Sequence, residues 1–439
     1  MEERDFDIIV VGCGCAGAIA AYVAAKQGKS VLIVERGESA GSKNMNMSGG
    51  RIYAHSLRKV FDKYADGDVE WDNIPFERKI THERIALMDP TSNMTIDFTS
   101  KELGDAGSDS YSVLRAPFDA WLAQLCEKAG CEIIAGIGVE DLVKDDVGAV
   151  IGIKAGDDEI TAQVVILAEG ANSLLAERCL GAPRPKRSEM AVGIKELFEL
   201  PARTIEDRFL TPEGEGAAML FVGDCTHGSV GGGFLYTNKD SISLGLVATI
   251  EELSTSGTTI YQAMEDFKHH PAVAPIIRDA TMVEHSGHMV SEGGYDMIPE
   301  YVYDGCLIAG DAAMLCMNLG YQVRGMDLAV ASGQFAAEAA CAAIDGGDVS
   351  AQALALYRTM LEDSFVIKDM KTFRAWPQTM EHWDRMFTEY PTMVAEVFNA
   401  MFVVDGEPQQ HLTKRIIPVV KQRGLLRLAK EVRGALKAL

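Results

Sequence analysis

The sequence predicts an α/β fold: a doubly wound parallel sheet interleaved with a second, mixed or antiparallel sheet, followed by a helical C-terminal region. Three observations predict it. Asp5 to Glu35, DFDIIVVGCGCAGAIAAYVAAKQGKSVLIVE, runs from a β-branched apolar stretch through a glycine turn to an alanine-rich stretch and a second apolar run. Gly193 to Ile250 alternates apolar and polar residues, in KELFEL, AAMLFVG and SISLGLVATI, as strands with one buried face do. His411 to Leu439 sets Leu425, Leu428, Val432, Leu436 and Leu439 on one helical face among basic residues.

In the opening stretch, Ile8 to Val11 suits a strand buried on both faces. Gly12, Gly14 and Gly17 spell GxGxxG: the first glycine turns the chain, the second admits a pyrophosphate to the backbone, and the third lets helix lie close to strand. Cys15 and Ala16 then open a helix whose N-terminal amides face the anion. Ala18 to Gln27 continues it, Gly28 closes it, and Ser30 to Val34 forms the second strand. Glu35 at that strand's end is placed to accept from an adenosine ribose hydroxyl and would repel a 2′-phosphate. Strand, helix, strand and acid in this order point to an adenine dinucleotide.

Arg36 to Arg51, RGESAGSKNMNMSGGR, reads as a loop running toward the cofactor, where Gly49 and Gly50 let backbone approach a flat ring. Arg51 pairs with a phosphate, tunes the ring or is solvated. Ile85 to Phe98 alternates as a hairpin of the second sheet, and Arg115 to Ala129 is a helix with one buried face. Cys131 to Gly136 is a strand, Val143 to Val165 a meander, and Val164 to Ala168 a strand that delivers Glu169 and Gly170 to the carboxyl edge of the parallel sheet, where ligands of such sheets bind. Tyr261 to His270 is helical, and Cys306 to Gly310 is the last strand of the first sheet. Asp311 follows it directly, and Met326 to Ile344 is a helix of small residues.

A chain of 439 residues holds two or three lobes. Its net charge of -23 argues against nucleic acid as a partner. Nine cysteines without a CxxC pair indicate neither a disulfide framework nor a metal or iron-sulfur site. His55, His82, His285 and His288 show no metal-like spacing. No apolar run reaches membrane-spanning length, and the acidic start MEERDFD is unlike a signal peptide, so a cytoplasmic protein is expected.

Three stretches thus converge on one cofactor: the glycine turn with Glu35, LAEGANS, and LIAGDAA. Their order resembles the flavoproteins of the glutathione reductase and p-hydroxybenzoate hydroxylase superfamily, which implies FAD, with Asp311 accepting from a ribityl hydroxyl. GSKN, SGGRIYAHSL, YSVLRAPFDAWL, GGGFLYTN and GDAAMLCMNLGYQVRGMDLA more closely resemble the FixC type of electron transfer flavoprotein:quinone oxidoreductase, over nearly the whole chain. That resemblance implies a Rossmann-like FAD-binding domain at 1–79, 113–187 and 296–357, an acceptor-side sheet domain at 80–112 and 188–295, and a helical region at 358–439. It implies cofactor contacts from Gly12, Gly14, Cys15, Ala16, Gly17, Glu35, Arg36, Lys43, Asn44, Gly49, Gly50, Arg51, Arg115, Gly170, Gly310, Asp311, Gly320, Arg324, Gly325 and Met326. Arg324 and Gly325 are the expected flavin-tuning residues, because a helix starting near Gly325 aims its positive end at the ring. For Arg115 and Arg324, an inter-lobe salt bridge is the plain alternative.

Electrons would pass from electron transfer flavoprotein subunits to a quinone or to a ferredoxin-like protein on a separate chain, since no cysteine cluster is present here. A stand-alone flavin reductase acting on a C=C bond, similar to geranylgeranyl reductases, is the alternative. Cys13 and Cys15 depart from the family's small or aliphatic residues at the turn, and a thiol at a helix N-terminus is either reactive or simply packed. Residues 44–50 form a longer stretch than the family's, and Glu169 stands where relatives often carry Asp. The tail from His411 has a net charge of +7 against -30 for the rest. After Pro418 and Gly424 it forms a basic amphipathic helix that docks on the inner face of an anionic membrane, on an acidic partner, or on its own body.

Overall fold

Residues 4–40, 50–105 and 109–439 are described in this computed structural model. The chain opens with β1 (Phe6–Val11), α1 (Cys15–Lys26) and β2 (Val31–Glu35). The hairpin of β3 (Lys79–Met88) and β4 (Asn93–Thr99) precedes α2 (Arg115–Lys128), β5 (Glu132–Ala135) and β6 (Asp158–Leu167). In the first sheet the order is β5–β2–β1–β6 and then β12 (Cys306–Ile308), all parallel. Ile8, Ile9 and Val10 at its centre are fully buried, which is why this run carries no alternation. Strands Asp141–Lys144 and Val150–Ala155 extend it as the expected meander on the first half of β6.

The second sheet is mixed. It runs from β11 (Thr281–Ser291) through β7 (Met190–Glu199), β10 (Ser241–Thr249), β9 (Gly231–Thr237) and β8 (Glu215–Gly223) to β3, with one parallel pair, β8 with β3. One face is covered by helices Ala202–Phe209 and Ile260–His269 around Phe198, Phe209, Phe221, Leu244 and Phe267. Residues of the other face, among them Leu220, Phe234 and Val247, line a cleft together with the carboxyl ends of the first sheet. Strand Arg51–Tyr53 pairs with Ser110–Ser112 at the far edge of this second sheet, so the stretch 1–79 supplies both sheets.

α3 (Met326–Gly346) packs along α1. The approach is so close that a Cβ on Gly333 would lie 2.2 Å from the carbonyl oxygen of Ala16, which explains the run of small residues. Beyond it, α4 (Trp376–Glu381), α5 (Glu389–Phe402), α6 (Leu412–Gln422) and α7 (Leu425–Ala438) complete the chain. Pro418 lies inside α6, the chain turns at Gly424, whose φ is +77°, and the tail helix α7 follows both. Among the described residues no helix is long and apolar enough to cross a membrane.

α7 is anchored through Glu431, the single acid of the tail. Arg385 donates to Glu431 at 3.1 Å, to Glu389 at 2.9 Å and to the Arg423 carbonyl at 2.6 Å, and the Tyr390 hydroxyl donates to Glu431 as well. Ala435 and Ala438 are buried, whereas Leu425, Leu426 and Leu436 remain exposed. The apolar stripe therefore packs on the body only in part.

Candidate active site

A cleft of about 1280 Å³ opens between the two sheets, beyond the ~300–1,000 Å³ of an ordinary small-molecule site. At one end stands the glycine turn. Gly12 has φ +99°, and a Cβ there would meet the Ala168 carbonyl oxygen at 2.5 Å. A Cβ on Gly17 would meet the Gly12 carbonyl oxygen at 1.9 Å, so no other residue fits either position. α1 starts at Cys15 with no acid in its first turn and no side-chain cap, leaving its first amides free toward the cleft. Glu35 accepts from the Cys13 amide at 2.8 Å and the Gly37 amide at 2.7 Å. Each carboxylate oxygen keeps a lone pair for a hydroxyl.

At the centre Asp311 follows β12 in a short 3-10 turn. Its carboxylate faces the cleft and has no hydrogen bond among the described residues. Burial pushes its carboxyl up, and the nearby Arg115 guanidinium opposes the rise. Arg115 opens α2, lines the cleft and chelates Asp119 at 2.8 and 2.7 Å. Free amides at a helix start, a ribose-ready acid and an unpartnered, half-buried carboxylate in one elongated cleft are the donor and acceptor set that a pyrophosphate, an adenosine ribose and a polyhydroxyl chain require.

Gly12, Gly14, Cys15, Ala16, Glu35, Arg36, Gly50, Arg51, Arg115, Gly170, Asp311, Gly320, Gly325 and Met326 all line this cleft. Gly17 and Gly310 stand just behind it. The Gly310 amide donates to Ser332 of α3 at 2.9 Å, and its positive φ of +66° sets the turn that presents Asp311. Lys43, Asn44 and Gly49 lie outside the described residues. Arg324 is turned elsewhere: it donates to Asp327 at 2.8 and 2.5 Å and to Asp369 at 2.7 Å, with Phe365 beneath it. Arg51 likewise donates to Glu83 at 3.0 Å and to Ser110 at 2.7 Å.

Cys13 and Cys15 are packed. Burial pushes both thiols up, Cys15 to about 12, so the helix start does not produce a thiolate. Glu169 accepts from the Leu175 amide at 2.9 Å and the Ala176 amide at 3.2 Å, holding the start of helix Leu174–Leu180. Among the described residues no cluster of His, Cys, Asp or Glu suited to a metal is found.

Other lining residues were not among the cofactor residues read from the sequence. Ile137, Gly138 and Val139 wall the end beside Glu35. Lys195 and His288 stand on the second sheet, and Trp376 comes from α4. Glu292, pushed up to about 7 by burial, accepts from Asn318 at 3.2 Å, and Asn318 in turn accepts from the Gly320 amide at 2.8 Å. The only signal for Lys195 was a lysine within the alternating KELFEL run, whose facing the sequence does not decide.

The fold and this cleft define an FAD-dependent oxidoreductase. Family models match in three places: the FAD binding domain at residues 7–77, the ubiquinone-binding region of ETF-QO at 190–290, and the C-terminal domain of the ETF-QO/FixC family at 376–439. FixC of Escherichia coli K12 is 47% identical over 98% of both chains, and the probable electron transfer flavoprotein-quinone oxidoreductase YdiS of the same organism is 45% identical over 99% of both. A geranylgeranyl bacteriochlorophyll reductase-like protein from Thermoplasma acidophilum shares the fold, with a TM-score of 0.71 at 20% identity over 96% of this chain and 99% of that one. The chain belongs to the ETF-QO/FixC family of electron-transferring flavoproteins.

Proposed function

We propose that this protein accepts electrons from an electron transfer flavoprotein on its FAD and delivers them to a quinone bound against the second sheet, with a ferredoxin-like protein on a separate chain as a further acceptor. The observation that carries this reading is the cleft's continuation past the glycine turn onto an apolar wall of Leu87, Leu220, Val222, Phe234 and Val247, a surface suited to a quinone ring and its isoprenoid tail. Most of that wall falls within the region matching the ubiquinone-binding model.

In this reading the amides of Cys15 and Ala16 hold the pyrophosphate, Glu35 the ribose and Asp311 the ribityl chain. Gly320, Gly325 and Met326 flank the ring, with Gly50 beside them. The start of α3 stabilises negative charge on the ring through the helix dipole, and Arg324 acts there through Asp327. Bound FAD supplies hydride and single-electron transfer; the chain's own residues position it, exclude water and receive the acceptor. The protein works in the cytoplasm at the inner face of the membrane, with the exposed Leu425, Leu426 and Leu436 and the basic residues around them touching anionic lipid.

Anaerobic titration of the holoprotein tests this. Reduction by reduced electron transfer flavoprotein and re-oxidation by a quinone analogue are expected. Re-oxidation by small unsaturated acids alone would place the protein among stand-alone reductases.

A further inference from the structure

Two side chains on the cleft wall carry exchangeable protons and, among the described residues, no hydrogen-bond partner. In the register of β7 with β11, Lys195 stands opposite Ser286 and Gly193 opposite His288. Residues opposite each other share a face, as do alternate residues along a strand. Lys195, Ser286 and His288 therefore emerge together, and all three line the cleft. On its other side Lys195 faces Gly245 of β10, which has no side chain to offer.

Lys195 is 5% exposed, and among the described residues no hydrogen bond or ion pair holds its ammonium or the His288 ring. Ser286 Oγ is buried without a partner. Glu284 lies one step further along the same face and is half-buried, toward solvent. Packing does not explain Lys195, because methionine would fill the same space without the cost of burying a charge.

We propose that Lys195 and His288 are the proton donors to the acceptor in this cleft. The proposal rests on the reading that the acceptor is a quinone. Conversion of a quinone to a hydroquinone takes two electrons and two protons. Bound reduced FAD would supply both electrons and the proton of one oxygen. The other oxygen receives its proton from Lys195 or His288, whose N–H bond breaks as the O–H bond forms. The neutral donor then regains a proton from solvent.

The charges facing the pair suit this role. Burial pushes the Lys195 ammonium down to about 8 and lowers His288; Arg115 at the start of α2 lowers both, while Glu284 opposes the shift of Lys195. Both groups thus release a proton more readily than in water.

Holoenzymes of the wild type, Lys195→Met, Lys195→Arg and His288→Gln, each reduced anaerobically, are re-oxidised with a short-chain ubiquinone analogue and with ferricenium, which takes an electron and no proton. The ratio of quinone to ferricenium rate is read against pH. In the wild type it should fall as pH rises through about 8. Lys195→Met should lower it by roughly 10²-fold and abolish that break, and Lys195→Arg, charged but unable to release a proton, should do the same. His288→Gln should lower it too, and together with Lys195→Arg carries the test if Lys195→Met fails to hold flavin. An unchanged ratio, equal slowing with both acceptors, or rescue by arginine overturns the proposal. A wild type that ferricenium re-oxidises and quinone does not overturns the quinone reading itself.

Discussion

Glu35 spends both oxygens on the backbone of the turn it faces, so the dinucleotide end is shaped before ligand arrives. Glu35→Gln keeps one of the two acceptors and turns an NH2 donor toward the other amide, and FAD affinity by calorimetry should fall by about 2 kcal/mol. Glu292 presents the reverse case, a carboxyl raised by burial to about 7. Its neutral form is favoured in the fold, so the cost to stability is absent below the ordinary carboxyl range, grows as pH rises, and is complete above about 7. Glu292→Gln should therefore raise the melting temperature above that pH and leave it unchanged near pH 4. The gain should be about 1–3 kcal/mol, since the group partly faces the cleft. Glu35 and Asp311 were legible because each follows a strand in a local motif. Lys195, His288 and Glu292 were not, because only the pairing of β7 with β11 decides which of two alternating faces meets the cleft.

Helices show the same division between local and tertiary information. α1 and α3 follow from their composition, but their contact does not. Ala16 and Gly333 meet backbone to backbone, a distance no period can reveal. Gly333→Leu should separate α3 from α1, displace the turn before Asp311 and abolish flavin retention on gel filtration, a cost above the ~1–3 kcal/mol of ordinary overpacking. The tail helix after Gly424 was readable from its apolar spacing, whereas α6 was not, because Pro418 interrupts its pattern. Arg385 and Glu431, far apart in sequence, decide where α7 lies. Glu431→Ala leaves the Arg385 guanidinium short of a partner and should release α7 from the cleft mouth, where Val432, Leu436 and Leu439 sit. Faster proteolysis around Gly424 and a higher flavin off-rate are the expected readouts, for a loss of about 2–4 kcal/mol.

At the scale of the molecule, two sheets of different character divide the labour. The parallel sheet offers strand ends and helix starts, which bind a charged dinucleotide. The mixed sheet offers a broad wall, apolar except for Lys195, His288 and their neighbours, which suits a flat, proton-requiring acceptor. The alternation of one and the continuous apolar runs of the other made both sheets legible. That the stretch before residue 79 sends Arg51–Tyr53 across to the second sheet was not, because an edge strand of three residues carries too little pattern to assign. Electron delivery across the cleft is the central claim, and stopped-flow mixing of pre-reduced holoprotein with a ubiquinone analogue tests it most directly. Saturable recovery of oxidised-flavin absorbance, slowed by Val247→Trp on the apolar wall, is predicted; recovery that is absent with quinone, or indifferent to that substitution, would contradict it.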